Sequence, residues 1–166
     1  MFIRPATIKD IPQIMQLIAE VVPAMNAAGN FQWDGNYPNA EVFENDINLK
    51  QLWVAELEES IAGIAAITTD QEPEYANVGW DITEMAIVVH RLAVGEMSRG
   101  KGVAVALLIQ AEKEAISHNI KILRIDTNTE NQATQKLFPK LGYRFAGEIG
   151  LGFRPGLRFY CYEKRM

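Results

Sequence analysis

A single cysteine in 166 residues excludes any intramolecular disulfide. That residue, Cys161, stands in the aromatic run Phe159-Tyr160-Cys161-Tyr162 and reads as a buried, inert thiol. No apolar run approaches the ~20 residues needed to span a bilayer, so no membrane association is expected. The start Met1-Phe2-Ile3-Arg4-Pro5 lacks a signal-peptide pattern. A reducing, cytoplasmic setting fits these absences. Basic excess is missing too. Lysine and arginine total 16 against 21 acidic residues, a net charge of −5, which argues against a nucleic-acid partner. A mildly acidic surface suits a cationic amine substrate or simply serves solubility. Repeats, low-complexity tracts and long linkers are all absent. One domain over residues 1–166 is expected, and that length buries a core without a structural metal.

What is present is periodicity. Phe2 to Arg4 reads as a short strand. Ile8, Ile11, Met15, Ile18 and Val22 recur at helical spacing, so Lys9 to Val22 predicts an amphipathic helix. Asn26 to Pro38 is rich in Asn and Gly and reads as a loop, and Glu41 to Leu49 as a shorter helix. Leu52 to Leu57 and Ile61 to Thr68 flank Glu58-Glu59-Ser60 as a β-hairpin. Asp70 to Tyr75, acidic and containing Pro73, reads as a connecting loop. Glu84 to Val94 predicts a long strand, Val103 to His118 a strong helix and Ile122 to Asp126 another strand. Asn131 to Leu141 predicts a helix closed by Gly142. Tyr143 to Leu151 and Phe159 to Lys164 are two closing strands. The pattern is α/β (α+β), a mixed sheet with helices packed on it.

The stretch Arg99-Gly100-Lys101-Gly102-Val103-Ala104 joins a strand ending at Leu92-Ala93-Val94 to the strong helix. A helix N-terminus presents unpaired backbone N–H groups and a partial positive charge. Glycines let a phosphate approach the backbone closely, and Arg99 and Lys101 add charge. A pyrophosphate is the natural guest. Neither the Gly-x-x-x-x-Gly-Lys-Ser/Thr spacing nor the dinucleotide fingerprint Gly-x-Gly-x-x-Gly is present.

In context the loop resembles the GNAT pattern Gln/Arg-x-x-Gly-x-Gly/Ala, with Arg99, Gly102 and Ala104 in the defined places. Arg91-Leu92-Ala93-Val94 is similar to the end of that family's fourth strand. Asp126-Thr127-Asn128, then Asn131, Ala133, Leu137 and Lys140-Leu141-Gly142-Tyr143, resembles its second signature. The resemblance implies an acyl-CoA N-acyltransferase fold, a mostly antiparallel sheet of about seven strands flanked by about four helices. It implies acetyl-CoA as cosubstrate, no metal, and a small-molecule or peptide amine as acceptor, with a homodimer left open. Backbone groups of Leu92, Ala93 and Val94 would hold the pantetheine arm like an added strand. Amides from Arg99 to Ala104 would hold the pyrophosphate, and Asn131 would contact the arm from the other side. Trp33 and Tyr37, in the loop that covers the family's acceptor site, either line it or anchor the loop.

The pattern breaks at Phe138. Many family members carry there a tyrosine that protonates the departing thiolate, and Phe138 has no proton to give. Pro139 also removes a backbone N–H near the helix end. Tyr143, Tyr160, Tyr162 or water are the substitutes open to the sequence. For the base, Val88 falls where some members carry a glutamate. His90 shares its strand face by the period of two, and so does Glu84. His90 has a suitable unperturbed pKa, about 6.5, but also suits a structural hydrogen bond within the sheet. An N-acetyltransferase is the leading reading. An acyl-CoA-binding protein with little turnover, or a transferase for another acyl group or a protein N-terminus, are the alternatives.

Overall fold

The computed structural model describes residues 1–166. Strand β1 (Phe2–Pro5) leads to Thr7 and Asp10, whose side chains and backbone groups form a reciprocal cap at the entrance to the first helix. That helix, α1 (Ile11–Ala27), continues beyond the periodic stretch seen in the sequence and carries Pro23 in its interior. Its Ile14, Leu17, Ile18, Val21 and Val22 form one buried face. Helix α2 (Ala40–Asn48) starts where the Asn39 side chain accepts the Val42 N–H at 3.0 Å. Strands β2 (Leu52–Leu57) and β3 (Ser60–Thr68) form the expected hairpin. Glu58 and Glu59 both take left-handed backbone angles, φ 50° and 64°, as a tight hairpin turn requires.

The remaining elements are β4 (Ile87–Val94), α3 (Val103–Ser117), β5 (Ile122–Asn128), α4 (Gln132–Lys140), β6 (Arg144–Leu151) and β7 (Arg154–Arg165). They complete a seven-stranded sheet of order β1-β2-β3-β4-β5-β7-β6. Every pairing is antiparallel except β4 with β5. One face of the sheet packs against α3, whose Val103, Leu107, Leu108, Ala111 and Ala115 share a core with Phe138 of α4. The α1 face packs with Phe43 of α2 and Trp33 against Val54 and Ile64. A smaller core gathers Tyr75, Val88, Phe159 and Cys161 beneath a 3-10 turn at Pro73–Val78. Helix α3 approaches β3 so closely that a Cβ on Gly63 would lie 2.6 Å from Val103 Cγ1 and 2.9 Å from the Ala93 carbonyl oxygen. Glycine there lets the N-terminus of α3 sit directly over the sheet.

One expected element is shorter than the sequence suggests. The strand begins at Ile87, not Glu84. Asp81 accepts hydrogen bonds from the Thr83 N–H and hydroxyl at 2.9 and 2.6 Å, and Gln71 donates to the carbonyls of Ile82 and Glu84. These local bonds commit the segment before Ile87 to a turn, so a period-of-two argument cannot reach back to Glu84. No helix is long and apolar enough to cross a membrane.

Candidate active site

The parallel strands β4 and β5 pair only from Ile87 to Val89 against Leu123 to Ile125. Beyond that point they separate. Part of the cause lies in β4. Between the pairs Ala66–His90 and Ile64–Ala93 it has one residue more than β3, and Arg91 takes the left-handed region, φ 51°. A bulge of this kind bends its strand and ends regular pairing. The β4 edge beyond Val89 is therefore left without a neighbour from β5, and a cavity of about 1250 Å³ opens there.

One end of the cavity is the glycine loop. Gly100 and Gly102 have φ of 75° and 78°, angles natural to glycine, and Gly102 is the N-cap of α3. The amides of Gly100, Gly102, Val103, Ala104 and Val105 donate to no protein acceptor, the first helical bond being Ala106 N–H to Gly102 O at 3.0 Å. Such a cluster of free N–H groups at a helix start attracts an anion. Arg99, Gly100, Gly102, Val103 and Ala104 line the cavity, whereas Lys101 does not. Arg99 is more than half exposed and pairs with Glu96 at 2.6 Å. Leu92, Ala93 and Val94 form the β4 wall. Across from them Asn131 caps α4 by accepting the Thr134 N–H at 3.3 Å. Its side-chain N–H₂ has no protein acceptor and remains to donate.

Phe138 is buried at 1 % exposure, lines the cavity and packs edge-on to Tyr162, centroids 5.3 Å apart. Helix α4 runs through Pro139 to Lys140. Tyr143, Tyr160 and Tyr162 all lie off the cavity wall. The Tyr143 hydroxyl is buried without a partner, and burial pushes its pKa above the usual phenol value. Cys161 is fully buried, and its thiol pKa is pushed up to about 12, chiefly by burial.

The opposite end of the cavity is polar. His90 lines it and bonds through Nε2 to the Asp70 carbonyl oxygen at 3.0 Å. A carbonyl oxygen can only accept, so Nε2 is the donor in that contact. Glu84 is outside the cavity, 44 % exposed, and pairs with Arg165 at 3.3 Å. The expectation that it shares the face of His90 is thus corrected by the late start of β4.

Two carboxylates that the periodicity did not single out occupy the site instead. Asp126, on β5 where the strands part, accepts a hydrogen bond from the Tyr75 hydroxyl at 2.5 Å. Burial raises its pKa above the ordinary aspartate value, and the Tyr75 hydrogen bond opposes that rise. Glu72 starts the 3-10 turn, where its carbonyl accepts the Tyr75 N–H at 3.0 Å, but its carboxylate makes no protein hydrogen bond, and burial raises its pKa as well. The sequence signals for Asp126 were its place in Asp126-Thr127-Asn128 and its position as an acid ending an apolar strand, neither of which marks it as a base.

Trp33 and Tyr37 both anchor and line. Trp33 is 4 % exposed within the α1 core, its carbonyl held by Asn26 at 3.0 Å, and it reaches the cavity wall. The Tyr37 hydroxyl accepts a bond from Arg91 Nη1 at 3.3 Å, and its ring lies 5.2 Å from the guanidinium carbon of Arg154. No group of three or more His, Cys, Asp or Glu side chains is arranged to hold a metal ion.

The family model described as Acetyltransferase (GNAT) family matches residues 19–143. The chain is 24 % identical over 152 residues to an uncharacterized N-acetyltransferase, YesJ, of Bacillus subtilis (strain 168), covering 90 % of this chain and 84 % of that one. It is 28 % identical over 112 residues to human N-acetylaspartate synthetase, covering 68 % of this chain but only 33 % of that protein. Among solved structures, an acetyltransferase of the GNAT family from Streptococcus agalactiae 2603 superposes with a TM-score of 0.84. Its identity is 28 %, with 99 % of this chain and 95 % of the other covered.

Proposed function

Because this chain belongs to the acetyltransferase (GNAT) family, we propose that it transfers an acetyl group from acetyl-CoA to the amine of a small molecule, by direct attack in a ternary complex. The observation that carries this reading is the continuity of one cavity from the free amides of the glycine loop to the carboxylates at the parting of β4 and β5. The free amides of Gly100 and Gly102 to Val105 fit a pyrophosphate. The unpaired β4 edge and the Asn131 amide fit the amide-bearing arm that follows it. Bound there, acetyl-CoA supplies a thioester carbonyl open to attack by an amine.

The acceptor must lose a proton to become nucleophilic. Asp126 is the base in this account, since the Tyr75 hydroxyl holds it in place and burial raises its affinity for a proton. Glu72 adds a second negative group that favours a cationic amine. Phe138 keeps water from the thiol end and gives no proton, so the thiolate leaves unassisted. A thiol pKa of about 8.5 makes that tolerable. Phe138 is also the basis for a second reading, an acyl-CoA-binding protein with little turnover, and thiol release in an amine panel separates the two. A small acceptor is supported by the relatives named N-acetylaspartate synthetase, whose name describes acetylation of an amino acid.

Two outcomes test the parts. Gly102→Glu should weaken acetyl-CoA binding at least tenfold, about 1.4 kcal/mol, by calorimetry. The new side chain projects into open space at the anion site and brings negative charge there. Gly102→Ala, which shares the backbone strain but not the charge, is the control. Unchanged affinity in a folded Gly102→Glu protein would remove the loop from the account. Tyr75→Phe should move the acidic limb of the rate profile to higher pH. The lost hydrogen bond favoured the charged carboxylate, so its removal raises the pKa of Asp126 and more alkaline solution is needed to free the base. A limb that stays put or moves down contradicts the assignment.

A further inference from the structure

Three arginines with mostly buried side chains surround the polar end of the fold, and two of them make three protein hydrogen bonds each. Arg91 is clamped to Asp46 by two bonds of 2.7 Å and also donates to Tyr37. Arg124, wholly buried and off the cavity wall, reaches Glu163, Gln71 and the Asp81 carbonyl, and its one unbonded nitrogen, Nη2, faces Glu84 at 3.9 Å and no cavity. Arg154 differs. Its side chain is only 19 % exposed, and of its five N–H donors a single one, Nη1, has a protein partner, Asp34 at 3.2 Å. Its Nε is buried with no acceptor. A buried nitrogen without an acceptor is unfavourable, and the Arg154 Nη2 is neither hydrogen-bonded nor buried, so it stays open to a ligand.

Its placement says what that ligand carries. Arg154 opens β7 immediately after the Gly152-Phe153 turn and lines the same cavity as Asp126 and Glu72. Its guanidinium lies against the Tyr37 ring, and Asp34, itself held by the Asn36 and Tyr37 amides at 2.7 and 2.9 Å, brackets one corner. The planar fork thus has a fixed orientation beside a site that otherwise attracts cations. We propose that Arg154 receives the carboxylate of the acceptor, and that the acceptor class is an amino carboxylate, its amine directed to Asp126 and Glu72 and its carboxylate to Arg154. Guanidinium and carboxylate match as planar two-point partners. A doubly charged phosphate fits less well, because one guanidinium would face it amid Asp34, Glu72 and Asp126.

This assignment rests on the reading of the cavity as an acetyl-transfer site, and the experiment separates the two. Thiol release from acetyl-CoA is measured with free amino acids, their carboxamides, the corresponding decarboxylated amines and short peptide amides, for the native protein, Arg154→Gln and Arg154→Lys. The native protein should favour amino acids over their carboxamides by at least tenfold in kcat/KM. Arg154→Gln should erase that preference by raising KM for amino acids at least tenfold more than KM for their carboxamides, and Arg154→Lys should restore only part of it. Preference of the native protein for carboxamides or peptide amides would overturn the proposal. So would equal losses for both substrate types in Arg154→Gln, which would mark Arg154 as a support of the β6–β7 turn. If no amine releases thiol, the acetyl-transfer reading fails by itself. The carboxylate site is then judged by calorimetry of N-acetyl amino acids against their amides on CoA-saturated protein. Carboxylate-dependent binding lost in Arg154→Gln supports it, and its absence overturns it.

Discussion

Asp126→Asn should lower kcat by roughly 10²–10⁴-fold, the usual worth of a positioned general base, while acetyl-CoA affinity stays unchanged. The substitution is nearly isosteric, and the amide oxygen can still accept from the Tyr75 hydroxyl, so the local structure is retained. What is lost is the site that takes the proton. The residual activity of the variant should climb with pH, because solution then supplies the unprotonated amine that Asp126 otherwise prepares. Glu72→Gln should act mainly on KM, since the Glu72 carboxylate carries no hydrogen bond that fixes it. His90→Ala should cost less than Asp126→Asn, because the His90 ring is committed through Nε2 to the Asp70 carbonyl. Steady-state rates from pH 6 to 9 for the three variants decide among them. A native rate in Asp126→Asn together with collapse in His90→Ala would transfer the role of base to His90.

Phe138→Ala should destabilise the protein by about 3–5 kcal/mol, the cost of removing a buried aromatic ring and leaving a cavity. The ring is 1 % exposed and packs on Tyr143 and Tyr162, so denaturant unfolding reports the loss directly. Phe138→Tyr separates packing from chemistry. It keeps the ring and places a phenol of pKa about 10 on the cavity wall, where a departing thiolate would be protonated. Helix α4 is continuous through Pro139, so the new hydroxyl starts from the same helix position as the native ring. Rapid-mixing measurement of thiol release should show a faster chemical step in Phe138→Tyr with stability close to native. An unchanged step would mean that thiolate departure is not limiting, and that Phe138 carries no penalty for turnover.

The fold was legible because its elements obey local rules. The apolar face of α3, the β2–β3 hairpin and the glycine closing α4 are signals that neighbouring residues create without help from distant ones. The glycine loop was legible for the same reason, since a helix start with glycine at positive φ is written in adjacent residues. Phe138 was visible as a departure from a spaced motif. The polar end of the site was not readable in this way. Glu84 was misplaced because side-chain bonds from Asp81 and Gln71 hold a turn that hydrophobic periodicity does not register. Asp126 stood within a spaced motif, but its importance comes from Tyr75, 51 residues away, and from the separation of β4 and β5. Arg154 gave no local signal. Its unmet donors appear only when the β6–β7 turn meets the Asp34–Tyr37 loop, a contact spanning 120 residues.

The central step is transfer of an acetyl group to nitrogen within the cavity between β4 and β5. Acetyl-CoA carrying a ¹³C label in the acetyl carbonyl, incubated with the protein and an amino carboxylate panel, tests it in one measurement. The prediction is a labelled N-acetyl product formed in step with free thiol, suppressed together with thiol release in Asp126→Asn. Free thiol accompanied only by labelled acetate, or no thiol at all from protein that binds acetyl-CoA, would contradict it.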